Sequence, residues 1–174
     1  MAGVYGVGKT TICNFLASSL DYTTASASAL IKQERGEITW DDEKRTRDIS
    51  KNQHHLIQAV HNLQNTNEKN IVDGHFALLD KAGLILKVEI DIFLAMNIDA
   101  VLLIEDTPAE ILTRLNLRDS ANWKLPVLES LIEAEREGAF LFHRESGVPI
   151  ATFQKDELQE ILKFISNLEN SNKG

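Results

Sequence analysis

Cysteine and proline are scarce in this chain of 174 residues. A single cysteine, Cys13, excludes a disulfide framework within the chain, and we interpret it as a small packing residue. Only three prolines are present, and no low-complexity linker divides the sequence. Hydrophobic residues make up 43% of the chain and charged residues 25%, as in ordinary globular proteins. We therefore expect one compact domain over residues 1–174.

Positive charge and long apolar runs are also in short supply. Lysine and arginine total 18 against 26 acidic residues, which gives a net charge of −8. This balance argues against a nucleic-acid-binding surface, so no nucleic-acid partner is expected. The most apolar region, residues 76–96, is interrupted by charges such as Asp80 and Lys81, which excludes a membrane span there. With no signal peptide visible, the sequence predicts a cytoplasmic protein.

The strongest motif lies at the start of the chain. Residues 3–10 read Gly-Val-Tyr-Gly-Val-Gly-Lys-Thr, the G-x-x-x-x-G-K-T pattern of the phosphate-binding P-loop. Its glycines let successive N–H groups face one phosphate, and the following helix directs its positive dipole end there. Lys9 is predicted to reach the β- and γ-phosphates of ATP, and Thr10 to ligate Mg²⁺. The predicted nucleotide-binding residues are Gly3, Gly6, Val7, Gly8, Lys9, Thr10 and Thr11.

A buried strand normally precedes a P-loop, but only Met1 and Ala2 stand before Gly3. Two residues are fewer than a strand of usual length. Either another segment fills the central position of the sheet, or the natural chain starts further upstream. We favour the second interpretation and expect a longer chain, with several apolar residues before Met1, to be markedly more stable.

Helices alternate with short apolar strands through the rest of the sequence. Residues 70–74 read as a buried strand that ends in an acid, and residues 100–104 are apolar throughout, as in a strand covered on both faces. Residues 76–79 and 84–88 are predicted to pair as a hairpin. Helical spacing or capping signals occur at residues 42–63, 107–118, 126–144 and 156–168. This alternation predicts a three-layer α/β fold, a mainly parallel sheet with helices on both faces.

Charged residues are predicted near the carboxyl ends of the strands, where ligands bind in parallel sheets. Asp73 is expected to hold Mg²⁺ directly or through water, with a turn residue in Asp-Gly as the alternative. Arg114 and Arg118 are four residues apart and share a helical face before a polar loop. They are predicted to form part of a lid over the phosphates, or else a solvated helix surface. Arg136 is a third candidate, for which a surface ion pair with neighbouring glutamates is an equally good interpretation.

The order of these parts resembles the adenylate-kinase-like nucleoside monophosphate kinases, and most closely the archaeal-type adenylate kinase group. The resemblance rests on the P-loop, on Ile71-Val72-Asp73-Gly74-His75, on Asp106-Thr107-Pro108 and on the two arginines that follow. It spans nearly the whole chain. It implies a five-stranded parallel core with ATP on the P-loop, an acceptor-binding segment at residues 26–63 and a short lid at residues 114–126.

The resemblance also implies roles for individual residues. Asp73 would lie beside Mg²⁺, and Arg45 would bind the monophosphate of the acceptor. The residues implied to act on the transferred phosphoryl group are Lys9, Arg114, Arg118 and Arg136.

Three functions follow from the sequence. The first is a Mg²⁺-dependent kinase that moves the γ-phosphoryl group of ATP to a small acceptor, most simply a nucleoside monophosphate. The second uses the same donor site with another acceptor, such as a sugar acid or a hydroxylated metabolite, because residues 26–53 contain no recognisable acceptor motif. The third is a nucleotide-dependent switch or accessory AAA-type ATPase whose output is a protein contact. Stimulation of ATP turnover by a small acceptor separates the first two from the third.

Overall fold

The computed structural model describes residues 1–35, 49–80, 82–118 and 123–171, and within these ranges the chain forms seven helices and six strands. The strands are β1 (Thr23–Ser26), β2 (Asn70–Asp73), β3 (Ala77–Leu79), β4 (Ile85–Lys87), β5 (Val101–Glu105) and β6 (Ile150–Gln154). The helices are α1 (Lys9–Leu20), α2 (Ala27–Arg35), α3 (Ile49–Thr66), α4 (Ile90–Ala95), α5 (Pro108–Arg118), α6 (Leu125–Ser146) and α7 (Leu158–Ser171).

Two pairs of parallel strands form the centre of the fold. β1 pairs with β2 so that Ser26 lies opposite Asp73, and β5 pairs with β6 so that Glu105 lies opposite Gln154. Because the strands are parallel, these four residues mark the carboxyl edge of each pair. This is the edge at which parallel sheets bind ligands.

The first two residues of the chain lie between β2 and β5. The amino group of Met1 donates a hydrogen bond of 2.8 Å to the carbonyl of Val72. Ala2 donates to the carbonyl of Leu102 at 2.8 Å and accepts from the amide of Ile104 at 2.9 Å. These bonds connect the two strand pairs in the order β1, β2, residues 1–2, β5, β6. The chain then passes from the middle of the sheet directly into the P-loop.

Helices cover both faces of the sheet. The side chains of β5 alternate between two hydrophobic cores, with Leu102 and Ile104 in one and Val101 and Leu103 in the other. Helices α1, α5 and α7 pack into the first core, whereas α3 and α4 pack into the second. Helix α6 contributes to both, through its first half and its second half respectively. The predicted three-layer α/β fold with parallel strands is confirmed.

The predicted hairpin forms as β3 and β4, which pair antiparallel with Leu79 opposite Ile85. It leaves the parallel sheet after β2 and contacts α6. Its turn is closed by the carboxylate of Asp80, which accepts a 2.8 Å hydrogen bond from the amide of Leu84. Gly83 has a φ of 79°, in the left-handed region that favours glycine. The Asp-to-Gly turn predicted from the sequence therefore has the chemistry that this hairpin needs.

Most predicted helices are present with shifted ends. The helix expected over residues 42–63 is described from Ile49 to Thr66, and residues 36–48, which include Arg45, lie outside the described ranges. The helix expected over residues 126–144 runs from Leu125 to Ser146. No helix in the described part of the chain is both long enough and apolar enough to cross a bilayer.

Close packing between α6 and the residue before β3 depends on Gly138. A Cβ at this position would lie 2.7 Å from the Cβ of Phe76, which is itself buried. We expect Gly138→Ala to lower the free energy of unfolding by about 1–3 kcal/mol through overpacking. Helix propensity alone would make alanine more favourable than glycine at this position by about 1 kcal/mol. A lower free energy of unfolding in Gly138→Ala would therefore have to come from the close contact with Phe76.

Urea unfolding of the two proteins measures this difference. Ser130→Ala on the exposed side of α6 is the matched control and should change the free energy of unfolding by less than about 0.5 kcal/mol. A Gly138→Ala protein as stable as the wild type would contradict the packing described.

Candidate functional site

Glycines shape the loop between the sheet and α1. Gly6 and Gly8 have φ angles of 73° and 111°, in the region that other residues rarely adopt. A Cβ at Gly6 would also lie 2.9 Å from the side chain of Leu115, so both conformation and space require glycine there. Gly8 is the N-cap of α1 and has no side chain with which to bond the first helical amides. The loop thus ends at an uncapped helix N-terminus.

The start of α1 fits an anionic phosphate group. Within the described ranges, the amides of Gly8, Lys9 and Thr10 donate to no protein acceptor, and all three residues line the main cavity. The first turn of α1 contains no acidic residue that would compete with an anion. A Cβ at Gly8 would come no closer than 3.8 Å to Lys155. A phosphate site requires backbone N–H groups that have no protein acceptor and the positive end of a helix dipole at an accessible position. The start of α1 provides both.

The other predicted nucleotide-binding residues divide into two kinds. Thr10 and Thr11 are exposed and line the same cavity. Gly3 and Val7 do not line it: the Val7 side chain is fully buried in the core, and a Cβ at Gly3 would lie 2.5 Å from the carbonyl oxygen of Ile104. These two residues therefore fix the course of the loop, and their contact with a nucleotide stays a prediction.

Lys9 and Asp73 come together at the mouth of the loop. The Lys9 Nζ lies 3.6 Å from an Asp73 carboxylate oxygen and donates to the carbonyls of Gly3 and Val4 at 2.6 and 3.2 Å. Burial lowers the pKa of Lys9, while the Asp73 carboxylate opposes this by stabilising the charged amine. Asp73 itself ends β2, as the sequence predicted. Two motifs separated by the whole of α1 to α3 thus supply one cation and one acid to the same point.

An aromatic cluster lies beside this pair. The ring of Tyr5 lies 4.4 Å from the ring of His75 and 6.0 Å from that of Trp123, measured between centroids. His75 Nε2 is 3.5 Å from the Lys9 Nζ. Burial raises the pKa of Tyr5 to about 12, so its hydroxyl stays protonated. Tyr5 was not predicted as a site residue from the sequence. The available signal was an aromatic residue inside the P-loop motif.

The side chain of Arg114 is bound to the P-loop. Its Nε donates to the carbonyl of Gly6 at 2.8 Å, and its Nη2 donates to Asp106 at 2.7 Å. Lys155, which directly follows β6, lies 2.9 Å from the same carboxylate. Burial alone would raise the pKa of Asp106, but the hydrogen bonds from Lys155 and Arg114 hold that pKa below its usual value. No sequence motif marks Lys155, and its place just after the end of a strand is the one signal for it.

The two remaining candidate arginines lie in different places. Arg118 is exposed and lines the main cavity with Arg114. Arg136 lines a separate surface groove, where its Nε bonds to Glu105 at 2.8 Å and its Nη1 to Glu133 at 3.2 Å. Of the neighbouring glutamates that the sequence offered as ion-pair partners, Glu133 bonds to Arg136, and a catalytic role for Arg136 stays a prediction. Residues 119–122 of the predicted lid lie outside the described ranges.

The arginines can be separated by mutation. We expect Arg114→Ala to lower kcat/KM for ATP by at least about tenfold, because this side chain contacts the P-loop, and Arg136→Ala to have a smaller effect. Steady-state kinetics of the two variants at matched folded concentration measures the contrast. A larger decrease in kcat/KM for Arg136→Ala than for Arg114→Ala would show that Arg136 acts on the substrate from a position other than its ion pairs with Glu105 and Glu133.

Glu135 is one of the neighbouring glutamates that the sequence offered as surface ion-pair partners of Arg136, and for this residue that interpretation is wrong because it is buried. Its side chain is 1% exposed, and its carboxylate accepts hydrogen bonds from the amides of Gly3, Phe76 and Ala77, each 2.8 Å long. An acid at a position with the helical spacing of Leu131 and Phe142 was the sequence signal for a buried, functional carboxylate.

The cavity extends well beyond the P-loop. Its volume is about 1520 Å³, and its lining reaches α2 and α3 on one side and residues such as Lys69 and Asp99, just before β2 and β5, on the other. One part lies against α2 and α3, where its polar lining includes Ser26, Ser28, Lys32 and Gln53. Leu56 of α3 adds apolar surface to the same part. The cavity therefore extends continuously from the phosphate loop to the described part of the predicted acceptor-binding segment.

Comparisons with known proteins agree with this architecture. The family model AAA_17, described as an AAA domain, matches residues 2–125. A search of curated proteins finds no match. Among solved structures, the chain is similar to the shikimate kinase from Acinetobacter baumannii in complex with shikimate, with 18% identity, coverage of 95% of this chain and 90% of that chain, and a TM-score of 0.59.

Two further solved structures show the same fold. The chain is similar to the shikimate kinase from Bacteroides thetaiotaomicron, with 15% identity, coverage of 99% and 94% of the two chains and a TM-score of 0.55. It is also similar to a sugar kinase from Janibacter sp. HTCC2649, with 15% identity, coverage of 95% and 91% and a TM-score of 0.54. These likenesses show the P-loop kinase fold, but do not single out the adenylate-kinase-like group that the sequence resembles.

The family match extends from the residue before the P-loop to the first residue of α6 and includes Lys9, Asp73 and Arg114. The match covers well over half of the chain. The three residues that it includes all line the main cavity. The chain therefore belongs to the AAA_17 family of AAA domains and has the fold of P-loop kinases.

Proposed function

We propose that this protein is a Mg²⁺-dependent kinase that moves the γ-phosphoryl group of ATP to a small acceptor. The observation that supports this best is the meeting of Lys9 and Asp73, 3.6 Å apart, at a glycine loop that opens on a two-part cavity. A nucleotide switch needs the loop and the acid, but it has no need of a second compartment. The P-loop kinase fold of the solved structures is consistent with the proposal.

The donor phosphates would bind against the free amides at the start of α1. Lys9 supplies a positive charge there, and Asp73 favours its charged form although burial opposes it. Thr10 and Asp73 both line the cavity and would hold Mg²⁺, which when bound would neutralise charge on the β- and γ-phosphates. Oxygen ligands of this kind are those that Mg²⁺ prefers.

Phosphoryl transfer depends on positioning and on charge placed around the moving group. Arg114 and Arg118 lie on the cavity side of α5 and would stabilise negative charge on the phosphoryl oxygens. Arg114 is already oriented by Gly6 and Asp106, so little reorganisation is required of it. The segment of residues 114–126 would restrict water access, which limits hydrolysis in favour of transfer.

A nucleoside monophosphate is the acceptor that we propose first. In the described part of the α2 and α3 wall, Lys32 offers a cation for a phosphate, Gln53 an amide for a base edge and Leu56 an apolar surface for a ring. A hydroxylated metabolite is the second candidate. Lys32 is the single basic side chain that lines the cavity from the described residues of these helices, whereas phosphate recognition usually employs arginine. The hydroxyls of Ser26 and Ser28 also suit a polyhydroxy compound.

The acceptor class is tested by measuring ADP release from MgATP with a panel of acceptors. The panel contains AMP, CMP, UMP, GMP and dTMP, together with shikimate, gluconate and simple sugars. Stimulation by a nucleotide supports the first candidate, and stimulation by a metabolite supports the second. ADP and phosphate formed at one rate with every acceptor would reject kinase activity in favour of an ATPase or switch.

A further inference from the structure

Glu135 is an acid on an otherwise apolar face of α6. Its side chain is 1% exposed, and Leu131 and Ala139, one turn to either side, are fully buried as well. An ionised carboxylate in such surroundings costs free energy unless hydrogen bonds and opposite charge compensate it. The partners of Glu135 therefore indicate why this position holds an acid.

Those partners belong to the two segments that form the phosphate site. One carboxylate oxygen accepts from the amide of Gly3, the first residue of the P-loop motif, at 2.8 Å. The other accepts from the amides of Phe76 and Ala77, also at 2.8 Å, just after the turn that follows Asp73. One rigid side chain on a long helix thus joins the loop that bears Lys9 to the segment that bears Asp73.

The charged groups around Glu135 come from several elements. Lys9 from α1 and the amino group of Met1 are the cations that interact with it, while Asp73 from β2 is the second acid in the cluster. Tyr5 of the P-loop also interacts with it, and His75 contacts Lys9. Burial raises the pKa of Glu135 to about 7, although its three amide donors and Lys9 favour the ionised form.

We propose that Glu135 is a positioning residue for phosphoryl transfer, which fixes the P-loop relative to the Asp73 segment and so sets the separation of Lys9 and Asp73. This inference rests on the proposed kinase function. Glu135 does not line the cavity, so it acts through the backbone groups that it binds and through its charge close to Lys9. The three amides are buried with it, so no water can replace a lost acceptor without a local rearrangement.

Glu135→Gln is the sharpest variant because it keeps the shape of the side chain. The amide NH₂ that replaces one oxygen cannot accept a hydrogen bond, so at least one of the three backbone donors loses its partner. We expect kcat to fall on the order of 10²-fold, the scale of a misplacement of about 1 Å in a reacting geometry, while KM for ATP changes much less. Glu129→Gln, exposed on the same helix, is the matched control and should leave both values unchanged.

The dependence of kcat on pH distinguishes the positioning role from a merely structural one. In the wild type, kcat should fall as the pH drops through about 7, because protonation removes a hydrogen-bond acceptor from the carboxylate. The glutamine variant should lack this acidic limb, and Glu135→Asp should retain it at reduced kcat. An acidic limb that persists in Glu135→Gln would assign it to another group, such as His75, and would overturn the proposal.

Two further results keep the inference separate from the proposed function. If the wild type binds MgATP but turns over no acceptor, the kinase proposal fails, and Glu135 is then tested by hydrogen exchange at Gly3, Phe76 and Ala77. Faster exchange of these amides in Glu135→Gln supports the positioning role, and unchanged exchange with unchanged MgATP affinity overturns it. If the glutamine variant does not fold, a folded Glu135→Asp variant with wild-type kcat overturns the proposal in the same way.

Discussion

Replacing Lys9 by alanine is expected to lower kcat/KM for phosphoryl transfer by at least about 10²–10³-fold. Lys9 is 6% exposed, and its amine is the cation nearest to Asp73 in the described site, so its loss removes charge from the place where phosphates would bind. In a dry site such a charge acts more strongly than it would in water. Initial rates with saturating acceptor and varied MgATP measure the effect.

The same substitution also affects stability, so two controls are needed. Alanine leaves Asp73 and Glu135 without their buried cation, and breaking a buried ion pair costs about 3–5 kcal/mol. Lys9→Met keeps the apolar stem and separates loss of packing from loss of charge. Lys163→Ala, an exposed lysine paired with Glu160 on α7, should have wild-type activity. A folded Lys9→Met protein with wild-type kcat/KM would contradict the role of the amine.

Asp73→Asn is expected to reduce kcat by about 10²-fold and to raise the Mg²⁺ concentration required for half-maximal activity. Asparagine retains the size of the side chain but removes the negative charge that Mg²⁺ and Lys9 both require. A titration of activity with Mg²⁺ at fixed ATP separates this effect from simple loss of nucleotide binding.

The alternative interpretation of Asp73 is a turn residue before Gly74. In that case asparagine, which suits turns equally well, would leave both kcat and the Mg²⁺ requirement unchanged. Asp91→Asn, an exposed acid in the first turn of α4, is the control for loss of one negative charge elsewhere. A normal Mg²⁺ titration for Asp73→Asn would remove Asp73 from the metal site.

Local sequence signals were sufficient to predict where the P-loop, Lys9 and Asp73 lie in the fold. The glycines and Lys9 lie within eight consecutive residues, and Asp73 ends a short apolar strand, so spacing alone placed them. The hairpin was also predictable because its strands and its turn are neighbours in sequence. The parallel topology followed from the alternation of helices and strands.

Groups that depend on distant partners were not predictable. Glu135 bonds to Gly3, which lies 132 residues away in sequence. Nothing in the local pattern of α6 names that partner, although an acid on an apolar stripe was a visible anomaly. Lys155 is similar, because its meeting with Asp106 depends on the register of β5 with β6.

Glu135 and Arg136 illustrate how adjacent positions on a helix place side chains in different surroundings. Successive residues on an α-helix point about 100° apart, so Glu135 and its neighbour cannot face the same way. Glu135 faces the P-loop, and Arg136 consequently lies in the outer groove with Glu105 and Glu133. The sequence showed a charged cluster on this helix but not which of its members was buried.

The acceptor was the least predictable part of the function. Residues 26–53 contain no recognisable acceptor motif. The likeness to adenylate-kinase-like enzymes and the likeness to metabolite kinase structures both describe a shared fold. Under the proposed function, specificity would depend on side chains in the wall formed by α2 and α3, whose described polar members at the cavity include Lys32 and Gln53. Substitution of these two residues would follow identification of the acceptor.

The most direct test of the kinase assignment is transfer of label from [γ-³²P]ATP to an acceptor, with products separated by chromatography. The panel described above is incubated with Mg²⁺ and either the wild-type protein or Lys9→Ala. We predict one labelled acceptor product in the wild type, formed with stoichiometric ADP and absent in the variant. Label found only in inorganic phosphate for every acceptor, while Lys9→Ala abolishes ATP turnover, would contradict a kinase and show that the P-loop serves ATP hydrolysis alone.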